Sequence, residues 1–182
     1  MPPTPDKIKN SPYKNRHLIF LTITKNPYSW LLSLYNRPYH ARRHFSSFEE
    51  LLRSPWQTRH RENAPAQFLN PMEMWNQKNR AYFQLQRIGP SYNLRYEDIL
   101  ADPEGTIRLL KENEQLAMIH SFFKNRDTST KAEPDKGYAY YKKYYLDEVW
   151  KAKLTPHLLQ LINQSLDKDL MQQFNYPLLE DV

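Results

Sequence analysis

The alternation of apolar and polar positions changes period several times along the chain. HLIFLTIT, residues 17–24, is a short apolar, β-branched run with no turn residue, which predicts a strand buried on both faces of a sheet. Lys25-Asn26-Pro27 follows at once. Asn26 offers an N-cap oxygen and Pro27 suits the first helical position, where its missing N–H costs nothing, so a helix is expected to about Tyr35. Residues 1–16, MPPTPDKIKNSPYKNR, have neither period and read as an extended N-terminal lead-in.

Residues 36–67 are basic and irregular, broken by FEELLRS, a short helix over which Ser47 and Glu50 form a capping box and which Pro55 ends. Asn70-Pro71 repeats the cap-plus-proline device. Met72, Trp75, Asn79, Tyr82 and Phe83 then fall mainly on one face of a helix reaching about Arg87. After Gly89-Pro90, YNLRY is a short strand, and Asp102-Pro103 opens a helix over ADPEGTIRLLKEN. Residues 124–137, KNRDTSTKAEPDKG, should be a long loop. The remainder is helical: an aromatic segment, YAYYKKYY, then a helix capped by Thr155-Pro156 and continuing in pieces to Phe174. Two buried-looking strands separated by a long helical stretch imply an α/β arrangement with parallel pairing, because parallel strands need a crossover.

Composition narrows the class. At 182 residues, 40% hydrophobic and 14% aromatic, the chain is expected to fold as one domain over 1–182. No stretch approaches the roughly 18 consecutive apolar residues of a membrane span, and the N-terminus has no apolar core of a signal peptide, so a soluble, cytoplasmic protein is expected. With no Cys, disulfides, thiolate metal sites and cysteine nucleophiles are excluded. The only glycines, Gly89, Gly105 and Gly137, are too far apart for GxxxxGK[ST] or GxGxxG. Charge is uneven: residues 1–95 carry 15 Lys/Arg against 5 Asp/Glu, a net +10, and residues 96–182 carry 11 against 15, a net −4. This asymmetry suits an anionic partner for the first half, or is simply solvated surface.

In an open α/β sheet, ligands bind beyond the carboxyl ends of strands, where helix N-termini present N–H groups. Lys25 through Ser29 lie at such a point. Lys25 brings a cation, the Tyr28 and Ser29 amides add donors, and Ser29 and Ser33 share a helix face. The same residues also make an ordinary strand-to-helix joint with solvent-facing serines.

A strand ending in a basic residue, Asn and Pro, with a serine eight positions after the basic residue, resembles the 3′-phosphate-binding motif of sulfotransferases that use 3′-phosphoadenosine-5′-phosphosulfate. Two further segments fit that family in order: LRYEDILADP (94–103) and DKG (135–137). The end of the chain, from KYYLDEVW to QQFNY (143–176), is similar to that of bacterial sulfotransferase-like proteins, and the likeness runs from about Leu18 to Tyr176. It implies a parallel sheet flanked by helices, in an incomplete sulfotransferase-like (P-loop nucleoside-triphosphatase-like) fold with a helical C-terminal part. It also implies Lys25 and Ser33 as ligands of the 3′-phosphate, Tyr96 as a contact to adenine, and Lys136 with Gly137 as a loop closing over the phosphate. Tyr96 as core and Lys136 as an exposed loop charge are the plain alternatives.

The family's usual arginine is Lys25 here, so a bidentate fork is replaced by a point charge, and Asp135 stands where the family has a basic residue. The strand and phosphosulfate-binding loop with which family members begin, and the later His or Glu base, have no match. The expectation is therefore a truncated relative, a fragment or a chain that naturally lacks the loop, with little or no activity of its own. No catalytic residue is assigned. His17, at the far end of the strand, reads as structural; His40, His44 and His60 could meet an acceptor, but His40 and His44 alone are too few for zinc, and no metal site is assigned. Arg37, Arg42, Arg43, Arg59 and Arg61 read as a basic rim for an anionic acceptor or as surface.

Two functions follow. One is a sulfotransferase-type protein, transferring a sulfuryl group from 3′-phosphoadenosine-5′-phosphosulfate to a hydroxyl or amine and leaving adenosine 3′,5′-bisphosphate. The other is a non-catalytic binding protein for nucleotide, nucleic acid or another polyanion through the basic half.

Overall fold

The computed structural model describes residues 2, 4–12, 18–39, 41, 43–59, 63–114, 123–125, 127 and 136–180. His17, His40, His60, Arg42, Arg61 and Asp135 lie outside the described residues, as does most of the 124–137 loop.

The lead-in is not extended throughout. A short helix, α1 (Pro5–Lys9), forms where Thr4 accepts from the Lys7 amide (3.4 Å) and Pro5 takes the first helical position. Strand β1 (Phe20–Thr24) follows, then α2 (Pro27–Asn36), whose first turn is held by the Tyr28 N–H donating to the Asn26 side chain at 3.1 Å. Ser47 caps α3 (Phe48–Arg53) by accepting from the Glu50 amide (3.0 Å), while the Glu50 carboxylate reaches back to the Ser46 amide (2.7 Å), one residue beyond a strict capping box. The segment after Pro55 is not wholly irregular: β2 (Trp56–Gln57) and β3 (Gln67–Phe68) pair antiparallel.

Asn70 caps α4 (Pro71–Phe83), accepting from the Glu73 amide at 2.8 Å, and a 3-10 turn, Gln84–Arg87, prolongs the helix to the expected end. Strand β4 (Ser91–Arg95) runs directly into α5 (Tyr96–Ala101); α6 (Pro103–Glu114) then starts where Asp102 accepts from the Gly105 amide at 2.8 Å. The C-terminal part comprises α7 (Tyr138–Leu146), a 3-10 turn (Val149–Lys153), α8 (Pro156–Asn163) under the Thr155 cap, and α9 (Lys168–Gln173) under the Asp167 cap.

β1 and β4 lie parallel, in register from Phe20 opposite Ser91 to Thr24 opposite Arg95. Parallel strands cannot be joined by a tight turn, and the helical run through α2 and α4 makes the crossover. The chain is thus α/β, a small parallel sheet flanked by helices, with a helical C-terminal part. No helix among the described residues is long and apolar enough to cross a membrane.

β1 is not buried on both faces. Thr22 and Thr24 turn inward, whereas Leu21 and Ile23 are 55% and 54% exposed. Every residue of FLTIT suits a strand interior, so the pattern could not say which alternate set faces the core. The inward hydroxyls are paired: Thr22 donates to Asn93 Oδ1 (2.7 Å) and Thr24 to Asn79 Oδ1 (2.5 Å). The core lies on that side of the sheet, among α2, α4 and the C-terminal helices. Leu31, Trp75, Trp150 and Ile162 are fully buried, Tyr28 stacks on Trp150 (ring centroids 6.4 Å apart), and Trp75 meets Phe174 edge-on.

Removing buried Leu31 should cost about 2–5 kcal/mol as Leu31→Ala, whereas Ile23→Thr on the open face should change stability by less than about 0.5 kcal/mol. Urea unfolding of the two variants checks the contrast. An equal loss from Ile23→Thr would contradict the open sheet face.

Candidate functional site

The joint between β1 and α2 is held by three remote residues. The Trp75 indole N–H donates to the Lys25 carbonyl (3.0 Å), and the Asn26 N–H donates to Glu97 Oε1 (3.0 Å). The Tyr176 hydroxyl donates to Glu97 Oε2 (2.7 Å), with the Thr24 carbonyl also near it at 3.3 Å. Burial pushes the Tyr176 phenol well above its ordinary value, and the neighbouring Glu97 charge adds to the shift.

At the start of α2, where the sequence offered the Tyr28 and Ser29 amides to an anion, the chain's own groups take part of the place. The Glu97 carboxylate already lies against that helix end, the Tyr28 amide is bonded to Asn26, and Asn26, Tyr28 and Ser29 are buried. Of the two amides expected to greet a ligand, that of Tyr28 is taken by its own N-cap, while the Glu97 carboxylate takes the N-cap amide of Asn26.

The side chains tell a different story on the flank of α2. Lys25 Nζ donates to Ser33 Oγ at 2.8 Å, and stands 3.7 Å from the centre of the Tyr145 ring and 5.4 Å from that of Tyr96. Ser33 donates its single hydroxyl proton to the Ser29 carbonyl (2.9 Å). The Tyr145 hydroxyl, 3.3 Å from Ser33 Oγ, must then be the donor of that pair. Ser33 Oγ thus gives one hydrogen bond and accepts two. Burial raises the Tyr145 phenol above its ordinary value.

Beside this pair opens a cavity of about 120 Å³. Ser33, Asn36 and Arg37 line it from α2, Tyr140, Tyr141, Tyr144 and Tyr145 from α7, and Lys136 and Lys153 from the segments on either side of α7. Lys136 Nζ lies 5.4 Å from the Tyr140 ring centre and Lys153 Nζ 5.8 Å from that of Tyr144. Gly137 precedes α7, and a Cβ there would stand 2.9 Å from the Asp127 carbonyl oxygen, so this close approach favours glycine. Asp127 also accepts from the Tyr138 amide with its Oδ1 (2.9 Å), so a second helix start near the cavity is satisfied by the chain's own carboxylate.

Of the residues singled out from sequence, Ser33 and Lys136 line the cavity, Lys25 adjoins it through Ser33 and Tyr145, and Gly137 carries the chain from Lys136 into α7. Tyr96 is set back: it opens α5, meets Tyr145 edge-on at 5.2 Å, and burial raises its phenol sharply. Arg37, read as part of a basic rim, does line the cavity. Arg43 instead bonds Ser54 and pairs with Glu50 at 3.6 Å, and His44 and Arg59 are exposed.

Sequence reasoning did not single out Tyr145, Lys153, Glu97 or Tyr176. The four-residue spacing in YAYYKKYY was the available signal for Tyr141 and Tyr145, whose rings stack at 6.2 Å, but nothing in it says what they face. Among the described residues no group of three His, Asp or Glu side chains could hold a metal ion.

Tyr28, Tyr96, Tyr145 and Tyr176 all have raised phenol values, and burial pushes Tyr82 up to about 12. A raised value favours the neutral phenol in the folded state, so this contribution is complete below about pH 10 and is lost as pH rises through the folded values. The buried phenols should therefore ionise only with unfolding; phenolate absorbance from all the tyrosines near pH 10 with the fold intact would contradict this packing. Tyr176→Phe, which removes the donor to Glu97, should lower unfolding free energy by about 1.5–3 kcal/mol in urea.

No protein-family model, curated protein or solved structure matches the chain, so what the site binds is read from its own geometry.

Proposed function

We propose that the chain is a sulfotransferase-type protein that binds the adenosine 3′-phosphate end of 3′-phosphoadenosine-5′-phosphosulfate, or of the spent donor adenosine 3′,5′-bisphosphate. The observation that carries this reading is that Ser33 and Lys136, far apart along the chain, line one cavity, with Lys25 bonded to Ser33 beside it. The small parallel sheet, with Lys25 just past the carboxyl end of β1, supports the incomplete sulfotransferase-like fold that the motif order implies.

The residues present fit a phosphate. Lys25 and Lys136 bring ammonium donors and Arg37 and Lys153 add positive charge, which favours a dianion over a neutral ligand. Ser33 can serve it only by exchange: its proton leaves the Ser29 carbonyl for a phosphate oxygen, a charge-assisted bond replacing a neutral one. At about 120 Å³ the cavity is well below the roughly 300 Å³ of a typical small-molecule pocket, so it holds the phosphate and not the whole nucleotide. Lys25 in place of arginine makes the contact a point charge without a fixed fork.

The donor supplies an activated sulfuryl group. Its transfer, an in-line displacement at sulfur, needs a base for the acceptor's proton and cations for the charge on the departing bisphosphate. No described residue is assigned to either task, so the proposal rests on binding.

Calorimetry tests it. Wild-type protein should bind adenosine 3′,5′-bisphosphate more tightly than adenosine 5′-monophosphate, and Lys25→Ala and Ser33→Ala should each weaken binding by about tenfold or more. Absence of binding, or variants that bind as wild type does, would overturn the assignment. Salt-steep binding of nucleic acid that the bisphosphate does not compete for would favour a polyanion-binding protein instead.

A further inference from the structure

We infer that Tyr140, rather than Tyr96, is the platform on which the purine ring of the bound nucleotide stacks; this rests on the nucleotide reading above. A phosphate-sized cavity leaves the base outside, at the rim, so the aromatic surface that meets it must be open to solvent and adjoin the cations. Tyr140 meets both conditions. It lines the cavity, it is 42% exposed, and Lys136 Nζ stands 5.4 Å from its ring centre.

The other rings are committed. Tyr145 is buried, with Lys25 over its face and Tyr144 edge-on at 5.0 Å. Tyr141 stacks along Tyr145 and is only half-exposed. Tyr96 does not line the cavity among the described residues, and Tyr145 stands against its ring. Tyr140 is also stacked, its ring within 9° of parallel to that of Tyr144 with centroids 6.0 Å apart and Tyr141 edge-on at 5.3 Å, but its greater exposure sets it apart from Tyr141. A platform fixed in this way loses little freedom when a base covers it. The phosphate then draws the Lys136 ammonium from the ring as the base takes its place.

Because a ring face recognises a base by area and not by hydrogen bonds, the contact separates cleanly from the phosphate contacts in binding measurements. The probes are adenosine 3′,5′-bisphosphate and its abasic counterpart, methyl riboside 3,5-bisphosphate, each titrated by calorimetry into wild type, Tyr140→Ala, Tyr140→Phe and Tyr96→Leu. Tyr140→Ala should weaken the adenosine ligand by about tenfold more than it weakens the abasic one, with Tyr140→Phe restoring the difference. Tyr140→Ala that preserves the preference for the adenosine ligand, or lowers both ligands equally, would overturn the platform while leaving the phosphate site standing. Transfer of the effect to Tyr96→Leu alone would do the same. If wild type binds neither ligand, the nucleotide reading fails and takes this inference with it.

Discussion

The structure depends on the peptide units that join β1 to α2. Their polar groups lie at the end of a half-buried strand and the start of a buried helix, and each must find a partner or carry a desolvation penalty. Trp75, Glu97 and Tyr176 provide those partners from three separate parts of the chain, through α4, α5 and the C-terminal segment. The joint is thereby a point where distant elements are fixed to one another, and it sets the direction in which Lys25 leaves the backbone. It also closes the helix start. With Glu97 already standing against the N-cap amide, the flank of α2 offers an anion side-chain donors without displacing it.

Among those side chains Ser33 is saturated. Its Oγ donates to the Ser29 carbonyl and accepts from Lys25 and Tyr145, so a ligand adds no bond to Ser33 without displacing one. The exchange is favourable for a dianion, because a phosphate oxygen is a stronger acceptor than a neutral carbonyl. The cavity rim brings Arg37, Lys136 and Lys153 together, and like charges brought near one another are relieved by an anion between them. The aromatic face of α7 holds Lys136 and Lys153 through contacts that tolerate small movements, which suits lysines that must turn toward a ligand.

Much of the fold was legible because its helices are announced locally. Asn26-Pro27, Asn70-Pro71 and Thr155-Pro156 each mark a helix start by a cap oxygen and a residue without an N–H, and all three begin where those pairs stand. Parallel pairing followed from the crossover between two strands. Where local signals are silent, reading failed. α5 begins directly after β4 at Arg95, which makes no side-chain cap bond, and β2 and β3 are two residues each, too short for any period to show. The two sides of β1 are equally strand-like in sequence, so only the packing of α4 against Thr24 reveals the inner one. At the site, the spacing of Lys25 and Ser33 was readable because both lie in one local segment, the joint after β1 and the helix it opens. Tyr145 and Lys153 reach the same cavity only through the tertiary placement of α7 and the turn after it.

The central claim is that the flank of α2, and not its buried start, receives the 3′-phosphate of a nucleotide. A crystal structure of the chain grown with adenosine 3′,5′-bisphosphate tests it most directly. The account predicts 3′-phosphate oxygens within hydrogen-bonding distance of Lys25 Nζ and Ser33 Oγ, with Glu97 still bonded to the Asn26 amide. A nucleotide bound elsewhere, or a phosphate seated on the amides of α2 with Glu97 displaced, would contradict it.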